Sequence, residues 1–460
     1  MIYALNFLYF NVNFPYFFMY FCGENLYIIN MYRKIQDFLL KWKLSRHRKP
    51  LILQGARQVG KTYSVLEFGK ANYENVAYFN FETEPDLINA FDGSLEPSFL
   101  LGLLSRLSHQ TIVPQKTLVF FDEIQICERA LTSLKYFCEK MPDVHIIAAG
   151  SLLGVAVNRK KFSFPVGKVE IKTMYSMDME EFLLACGEQD LAKTIKKSFE
   201  NNIAMHPLLH KTAMEYYRKY LVVGGMPECV AQYIETKNPV LIRHLQNSIL
   251  TAYLNDMSKY NTENEIKKTR LAYNSITVQL SKSNTRFQYK LIKTGARAKE
   301  FENAIEWLSL SGIVSVVFKV NNIMKPLENY KDEAFKVYVS DLGLLCAKKN
   351  IVPEDILFAT HEIDDFKGGL VENFAEFHLK ANDLEAYYWE SDREAEIDFV
   401  IQKNRHIIPV EVKSSDNTKS KSLSVYMQKF KPKYAIKLSA KNFGFESNIK
   451  TVPLYAAFCL

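Results

Sequence analysis

Short apolar runs alternate with amphipathic stretches through the first half of the chain, the pattern of βα units building a parallel sheet. A helix over 35–44 precedes the run 51–53, and a helix-like stretch over 63–70 follows it. Strand 75–81, helices through His109, strand 117–121 and strand 144–149 continue the alternation. Uninterrupted apolar runs of this length read as strands covered on both faces. Strand-like 169–174 and helix-like 179–186 close this core. Beyond Gly187 the period is helical, broken at Val223-Gly224-Gly225-Met226-Pro227, where glycines and proline mark a sharp turn. From residue 263 the order changes to helices, with 269–281 and 299–311 amphipathic, then Gly312 as a stop and strands 313–318 and 335–339. That order suits a winged helix. Helix 372–380 and strands 396–401 and 407–413 complete the chain. The prediction is an α/β protein: an apolar extension (1–30), a P-loop parallel-sheet domain (31–187), a helical linker or lid (188–262), a winged-helix-like segment (263–349) and a C-terminal α/β domain (350–460).

The loop after the run 51–53 spells Gly55-Ala56-Arg57-Gln58-Val59-Gly60-Lys61-Thr62, which fits G-x-x-x-x-G-K-[ST]. Glycines let the backbone wrap a phosphate, and the loop N–H groups with the following helix N-terminus supply positive potential. The pattern predicts bound ATP, with Lys61 reaching the β- and γ-phosphates and Thr62 on Mg²⁺. The strand at 116–121 ends in Asp122-Glu123. At a strand C-terminus, Asp122 would hold Mg²⁺ through its water shell and Glu123 would polarise the attacking water. The strand at 144–149 ends in Gly150-Ser151, and the Ser151 hydroxyl is a candidate sensor of the γ-phosphate.

In the winged-helix segment Lys290, Lys293, Arg297 and Lys299 offer phosphate contacts, but Glu300, Glu302 and Glu306 on the recognition helix would be repelled by DNA. A structural or protein-contacting winged helix is therefore favoured over a DNA reader. Further on, Asn404-Arg405 as a two-residue turn makes paired residues sum to 809, which sets Asp398 opposite Glu411 with Lys413 on the same face. Opposed like charges destabilise a hairpin unless a cation sits between them. Mg²⁺ or Mn²⁺ bound by Asp398 and Glu411 would resolve the conflict, with Lys413 orienting a water and Glu372 adding a further acid. The alternative is a solvated strand face.

Composition narrows the classes. With 460 residues, 48% hydrophobic and 24% charged, the chain is a folded multidomain protein rather than a disordered one. Its net charge of +7 permits nucleic-acid binding without requiring it. Seven scattered cysteines without a C-x-x-C pair point away from a disulfide framework or zinc site and fit a reducing cytoplasm. Residues 2–22 carry no charge and are long enough to cross a membrane, but Asn6, Asn11, Asn13 and Pro15 interrupt them and no basic residues precede them. Translation from Met31, opening an ordinary amphipathic helix, accounts for that extension, and no membrane partner is expected.

From Met31 onward the chain resembles the prokaryotic AAA-type ATPases that carry a C-terminal domain of unknown function, DUF4143. The resemblance rests on GARQVGKT, FFDEIQ, IIAAGSLLGV, FPVGKVE, VGGMPECV, TGARAKEF, AFKVYVSDLGLL, GGLVENFAE and EIDFVIQ with IPVEVKS. It implies a P-loop ATPase, a winged helix and a nuclease-like fold of the PD-(D/E)XK type. It assigns Gly55, Gly60, Lys61 and Thr62 to nucleotide, Asp122 and Glu123 to Mg²⁺ and water, and Glu372, Asp398, Glu411 and Lys413 to the nuclease-type site. FPVG continues with Lys168 where some relatives show Arg, a poorer fork for the transferring phosphate. Arg129 and Arg159 are the other candidates. The expected function is an ATPase whose cycle controls the C-terminal half. The alternatives are an ATP-regulated metal-dependent DNA nuclease and a non-enzymatic nucleotide-binding regulator. DNA, a protein or a second copy of the chain are candidate partners.

Overall fold

Parallel pairing in the first sheet brings the ends of distant strands to one edge. The computed structural model describes residues 18–22, 25–29, 31–151, 164–258, 262–282, 286–359, 361, 364–391, 395–414 and 421–460. Arg159 lies outside the described residues, as does most of the apolar extension. Within that extension β1 (Phe18–Cys22) and β2 (Asn25–Ile29) pair antiparallel. Among the described residues no helix is long and apolar enough to cross a membrane.

Strands β3 (Leu51–Gln54), β4 (Asn75–Asn80), β5 (Thr117–Asp122), β6 (His145–Gly150) and β7 (Glu170–Thr173) form a parallel sheet in the order β4-β5-β6-β3-β7. Every residue of β5 and β6 is buried, as their largely apolar runs require. One face, through Ile52, Phe79 and Phe121, packs on Leu100, Leu104, Leu131 and Leu134 of helices Pro97–Leu107 and Glu128–Lys140. The other face, through Leu53, Phe120 and Ala149, joins an apolar core that continues into the C-terminal half through Val339, Phe374 and Phe399.

The second sheet combines β8 (Val314–Val320), β9 (Lys331–Val339), β10 (Ala386–Glu390), β11 (Glu396–Lys403), β12 (His406–Val412), β13 (Ala435–Ser439), β14 (Gly444–Glu446) and β15 (Ile449–Pro453) in the order β14-β15-β13-β12-β11-β10-β8-β9. The expected hairpin register holds: Lys403 faces His406 and Phe399 faces Val410. Asn404 and Arg405 both have positive φ, 48° and 64°, the turn whose twist matches paired strands. The division expected at 349 corrects to a continuous sheet, because β8 pairs parallel with β10 through Tyr387 and Phe318. Strand β8 would otherwise present an open edge, and β10 covers it.

Helices Pro207–Val223, Pro227–Thr236 and Pro239–Asp256 bridge the halves. Their junction is tight: a Cβ on Gly225 would lie 2.0 Å from the Met177 carbonyl oxygen, and one on Gly224 (φ +76°) would lie 2.3 Å from Asp341 Oδ1. Buried Asp341 accepts from Gly225 N at 2.8 Å and from Leu344 N at 3.0 Å. The segment Leu454–Cys459 is also core: Tyr455 pairs with His210 at 2.8 Å, and Lys34 lies over the Phe458 ring.

Candidate nucleotide site and a second carboxylate cluster

A Cβ at Gly55 (φ +149°) would stand 2.1 Å from the Met174 carbonyl oxygen, so only glycine lets the chain turn off β3 beside the end of β7. Gly60, at φ +92°, caps helix Lys61–Asn72 without a side-chain acceptor. The first-turn N–H groups of that helix therefore keep their capacity for an external anion. Around them is a cavity of about 380 Å³ lined by Arg57, Gln58, Gly60, Lys61, Thr62 and Glu123, with Met31, Arg33, Pro227 and Ala231 contributing apolar and cationic walls. That mixture suits a phosphate chain joined to a flat organic group.

Lys61 Nζ donates to the Gly55 and Ala56 carbonyl oxygens at 2.9 and 2.8 Å. Burial lowers its pKa to about 8, against the pull of Glu123 and Asp122, while nearby Arg57 lowers it further. Thr62 Oγ1 donates to Asp122 Oδ2 at 2.8 Å, and the Tyr78 hydroxyl donates to the same oxygen at 3.1 Å. Asp122 Oδ1 accepts from Glu123 N at 3.1 Å, so both carboxylate oxygens are fixed. Two oxygen donors at the mouth of a phosphate loop fit Mg²⁺, which takes few protein ligands and completes its shell with phosphate oxygens and water. Glu123 holds φ +51°, an uncommon conformation for a residue with a Cβ, and its Oε2 accepts from Gln125 Nε2. Gln125 thus orients Glu123, a role that the sequence reading missed.

Ser151 is buried, and its Oγ has no hydrogen-bond partner among the described residues. It lines a separate cavity of about 210 Å³ behind the loop, with Gln54, Gly55, Ala56, Gly312 and Asp341, rather than the one that contains Lys61. The candidate phosphate-sensing cations also sit elsewhere: Lys168 pairs with Glu139 at 2.9 Å on the surface, and Arg129 is tied to the Phe91 and Gly93 carbonyls. The arginines at the cavity are Arg33 and Arg57. Arg33 donates to the Val59 and Tyr175 carbonyl oxygens at 2.8 and 2.7 Å and to Glu181 at 3.1 Å. Arg57 pairs with Asp256 at 2.7 Å, and the Tyr253 hydroxyl donates to its carbonyl oxygen at 3.2 Å. A Cβ on Gly312 would lie 3.0 Å from Ala56 N, so the segment leaving helix Ala298–Leu310 seats directly on the phosphate loop. That helix buries Phe301, Ile305 and Leu308 and leaves Glu302 and Glu306 exposed, while Lys293 pairs with Glu300 at 2.5 Å.

The second cluster lies on β9, β11, β12 and helix Asp364–Ala381. Asp398 Oδ2 accepts from Val412 N at 2.7 Å, and Glu411 Oε1 pairs with Lys413 Nζ at 2.6 Å. Glu372 Oε2 accepts from the Tyr338 hydroxyl at 3.1 Å and lies 3.5 Å from Lys336 Nζ. Lys336 Nζ reaches Glu396 Oε1 at 2.5 Å, with its side chain 1% exposed. Burial, then Glu372, then Glu411 push the Asp398 carboxyl well above its ordinary pKa. For Lys413, burial opposes the charge, but Glu411, Asp398 and Glu372 together outweigh it and the net shift is upward. Among the described residues no group of three or more His, Cys, Asp or Glu side chains is disposed to hold a metal ion. Glu372, Asp398 and Glu411 are brought together as expected, but as observed they do not fit a divalent metal. Lysine ammoniums supply the positive charge instead, and Lys336 was not foreseen.

A parallel sheet whose first strand runs into a glycine phosphate loop, with an Asp-Glu pair one strand beyond its neighbour, defines a P-loop nucleotide-binding protein. Residues 47–183 match the family model described as AAA domain. Residues 367–457 match the domain of unknown function DUF4143, and residues 214–355 match the domain of unknown function DUF8612. Solved structures similar to the chain include the Walker-type ATPase PABY2304 of Pyrococcus abyssi, at 14% identity and TM-score 0.44, covering 69% of this chain and 96% of that one. The Aeropyrum pernix ORC2 protein in ADPNP–ADP complexes follows at 13% identity and TM-score 0.35, covering 73% and 97%. At such scores these likenesses carry no functional argument. No curated protein matches the chain.

Proposed function

We propose that this protein is a slow, Mg²⁺-dependent ATPase whose nucleotide state acts on the winged-helix segment and the C-terminal sheet through direct contacts with the phosphate loop. The observation that carries the reading is the Thr62–Asp122 hydrogen bond of 2.8 Å, which ties the Mg²⁺-side hydroxyl of the loop to the acidic end of β5 beside Lys61 and Glu123. Bound with ATP, Mg²⁺ would neutralise charge on the β- and γ-phosphate oxygens. Lys61 would exchange its two carbonyl acceptors for phosphate oxygens, and the N–H groups after Gly60 would hold the same chain. Glu123, held by Gln125, would accept a proton from the attacking water as that water aligns with the γ-phosphorus.

Two contacts support transmission: Gly312 rests on Ala56, and Asp256 pairs with Arg57. A loop that tightens around phosphate pulls on both. The acidic outer face of helix Ala298–Leu310 favours a winged helix that meets protein rather than DNA. The test is steady-state phosphate release by the chain from Met31 beside its Glu123→Gln variant, with and without Mg²⁺ and DNA. Turnover that needs Mg²⁺ and disappears in the variant, with ATP affinity retained, supports the reading. ATP bound without turnover would make the protein a nucleotide-dependent regulator instead.

A further inference from the structure

Lys336 stands on β9, the edge strand of the second sheet, yet its side chain passes 5.1 Å from the centroid of the Tyr388 ring on β10 and ends against Glu396 of β11. Its ammonium is 2.5 Å from Glu396 and 3.5 Å from Glu372, with only 1% of the side chain exposed. From the other side Lys413 meets Glu411 at 2.6 Å, and Asp398 is engaged by the Val412 N–H at 2.7 Å. Each acid assigned to metal by motif thus has a protein partner. We propose that Lys336 is a built-in cation that takes the place of a divalent metal, so that the C-terminal carboxylate cluster is a metal-independent lock between β9 and the rest of the sheet and not a nuclease centre.

A divalent ion gains affinity by collecting several carboxylate oxygens at short distance. Here a metal on Glu372, Asp398 and Glu411 would have to draw Glu372 away from an almost wholly buried ammonium and set a second cation beside it. Lys413 would add repulsion from the opposite side. An ammonium tethered to the same sheet needs no capture from solution, so it prevails at ordinary metal concentrations. The lock also has a mechanical meaning: β9 leads directly to Ser340 and Asp341, which contact the phosphate-loop side of the molecule through Gly312 and Gly225. The cluster therefore fixes the strand through which the nucleotide domain reaches the second sheet.

The experiment is a Mn²⁺ titration of the nucleotide-free full chain, read by the electron paramagnetic resonance of free Mn²⁺, for wild type, Asp398→Asn, Lys336→Met and the double variant. Wild type and Asp398→Asn are expected to give superimposable curves. Lys336→Met should take up one more ion, at least tenfold tighter than any wild-type site, and the double variant should lose it. One ion bound by wild type and lost in Asp398→Asn would overturn the proposal. A folded Lys336→Met protein that gains no ion would also overturn it. If Lys336→Met does not fold, the first pair of curves still decides.

Discussion

The nucleotide site and the C-terminal cluster use the same kinds of side chain, carboxylates and lysines, yet they are poised for opposite ends. In the first, Lys61 is held among the described residues by backbone carbonyls and borders a cavity with helix N–H groups free of side-chain caps. In the second, Lys336 and Lys413 are already spent on Glu396, Glu372 and Glu411. The difference shows that a constellation becomes a binding site only when its charges are left incompletely answered by the protein itself.

The largest effect that would sharpen this contrast is on turnover. Glu123→Gln should lower ATP hydrolysis on the order of 10²–10⁴-fold with nucleotide affinity unchanged, whereas Asp398→Asn should leave hydrolysis within about twofold, both measured by phosphate release. Gly225→Ala should cost several kcal/mol of stability, seen as a lowered thermal midpoint, because the new methyl would stand 2.0 Å from the Met177 carbonyl oxygen.

Lys61 gives a pH test. Its folded pKa is depressed to about 8, so the cation that attracts phosphate is lost in the nucleotide-free protein as pH rises through 8. ATP affinity measured by calorimetry should fall severalfold between pH 7 and pH 9, by about tenfold per unit at most if one charge controls binding. The same depression means that the unfolded chain binds this proton more tightly, so Lys61 destabilises the fold below about 8 and ceases to do so as pH climbs towards the ordinary lysine range.

The smallest effect belongs to Asp398, whose raised pKa has the opposite sense. The folded state keeps its proton above the ordinary aspartate value, so this group costs stability as pH rises from there through its elevated folded value. Asp398→Asn should therefore stabilise the protein at neutral pH by about 1 kcal/mol and have no effect near pH 3, measured by denaturant unfolding at both pH values. A destabilised variant at neutral pH would erase the distinction between the two sites.

Local features were legible in the sequence. The glycine loop, the Asp122-Glu123 strand end and the 403–406 turn are each set by neighbours within a few residues, and so is the hairpin register. What escaped was non-local. Lys336 enters the cluster because β8 pairs with β10, about seventy residues downstream, and no periodicity in β9 announces that pairing. Arg33 reaches Val59 from before the first strand of the sheet, and Gln125 finds Glu123 only because residue 123 adopts a left-handed conformation. The pairing of β8 with β10 across the boundary expected at 350 escaped for the same reason: an edge strand seeks whatever partner the fold offers, and sequence order does not name it.

The burial of Leu454–Cys459 against the earlier helices sets an order of events during synthesis. Helix Pro207–Val223 emerges from the ribosome more than two hundred residues before Tyr455, the partner of its His210. At about 5–20 residues per second the helix waits ten seconds or more with that face uncovered. The nucleotide domain can close its own sheet in that interval, but its attachment to the second sheet must follow translation of the downstream segment. A nascent chain stalled before residue 450 should be able to assemble a phosphate loop while exposing the apolar surfaces that draw chaperones.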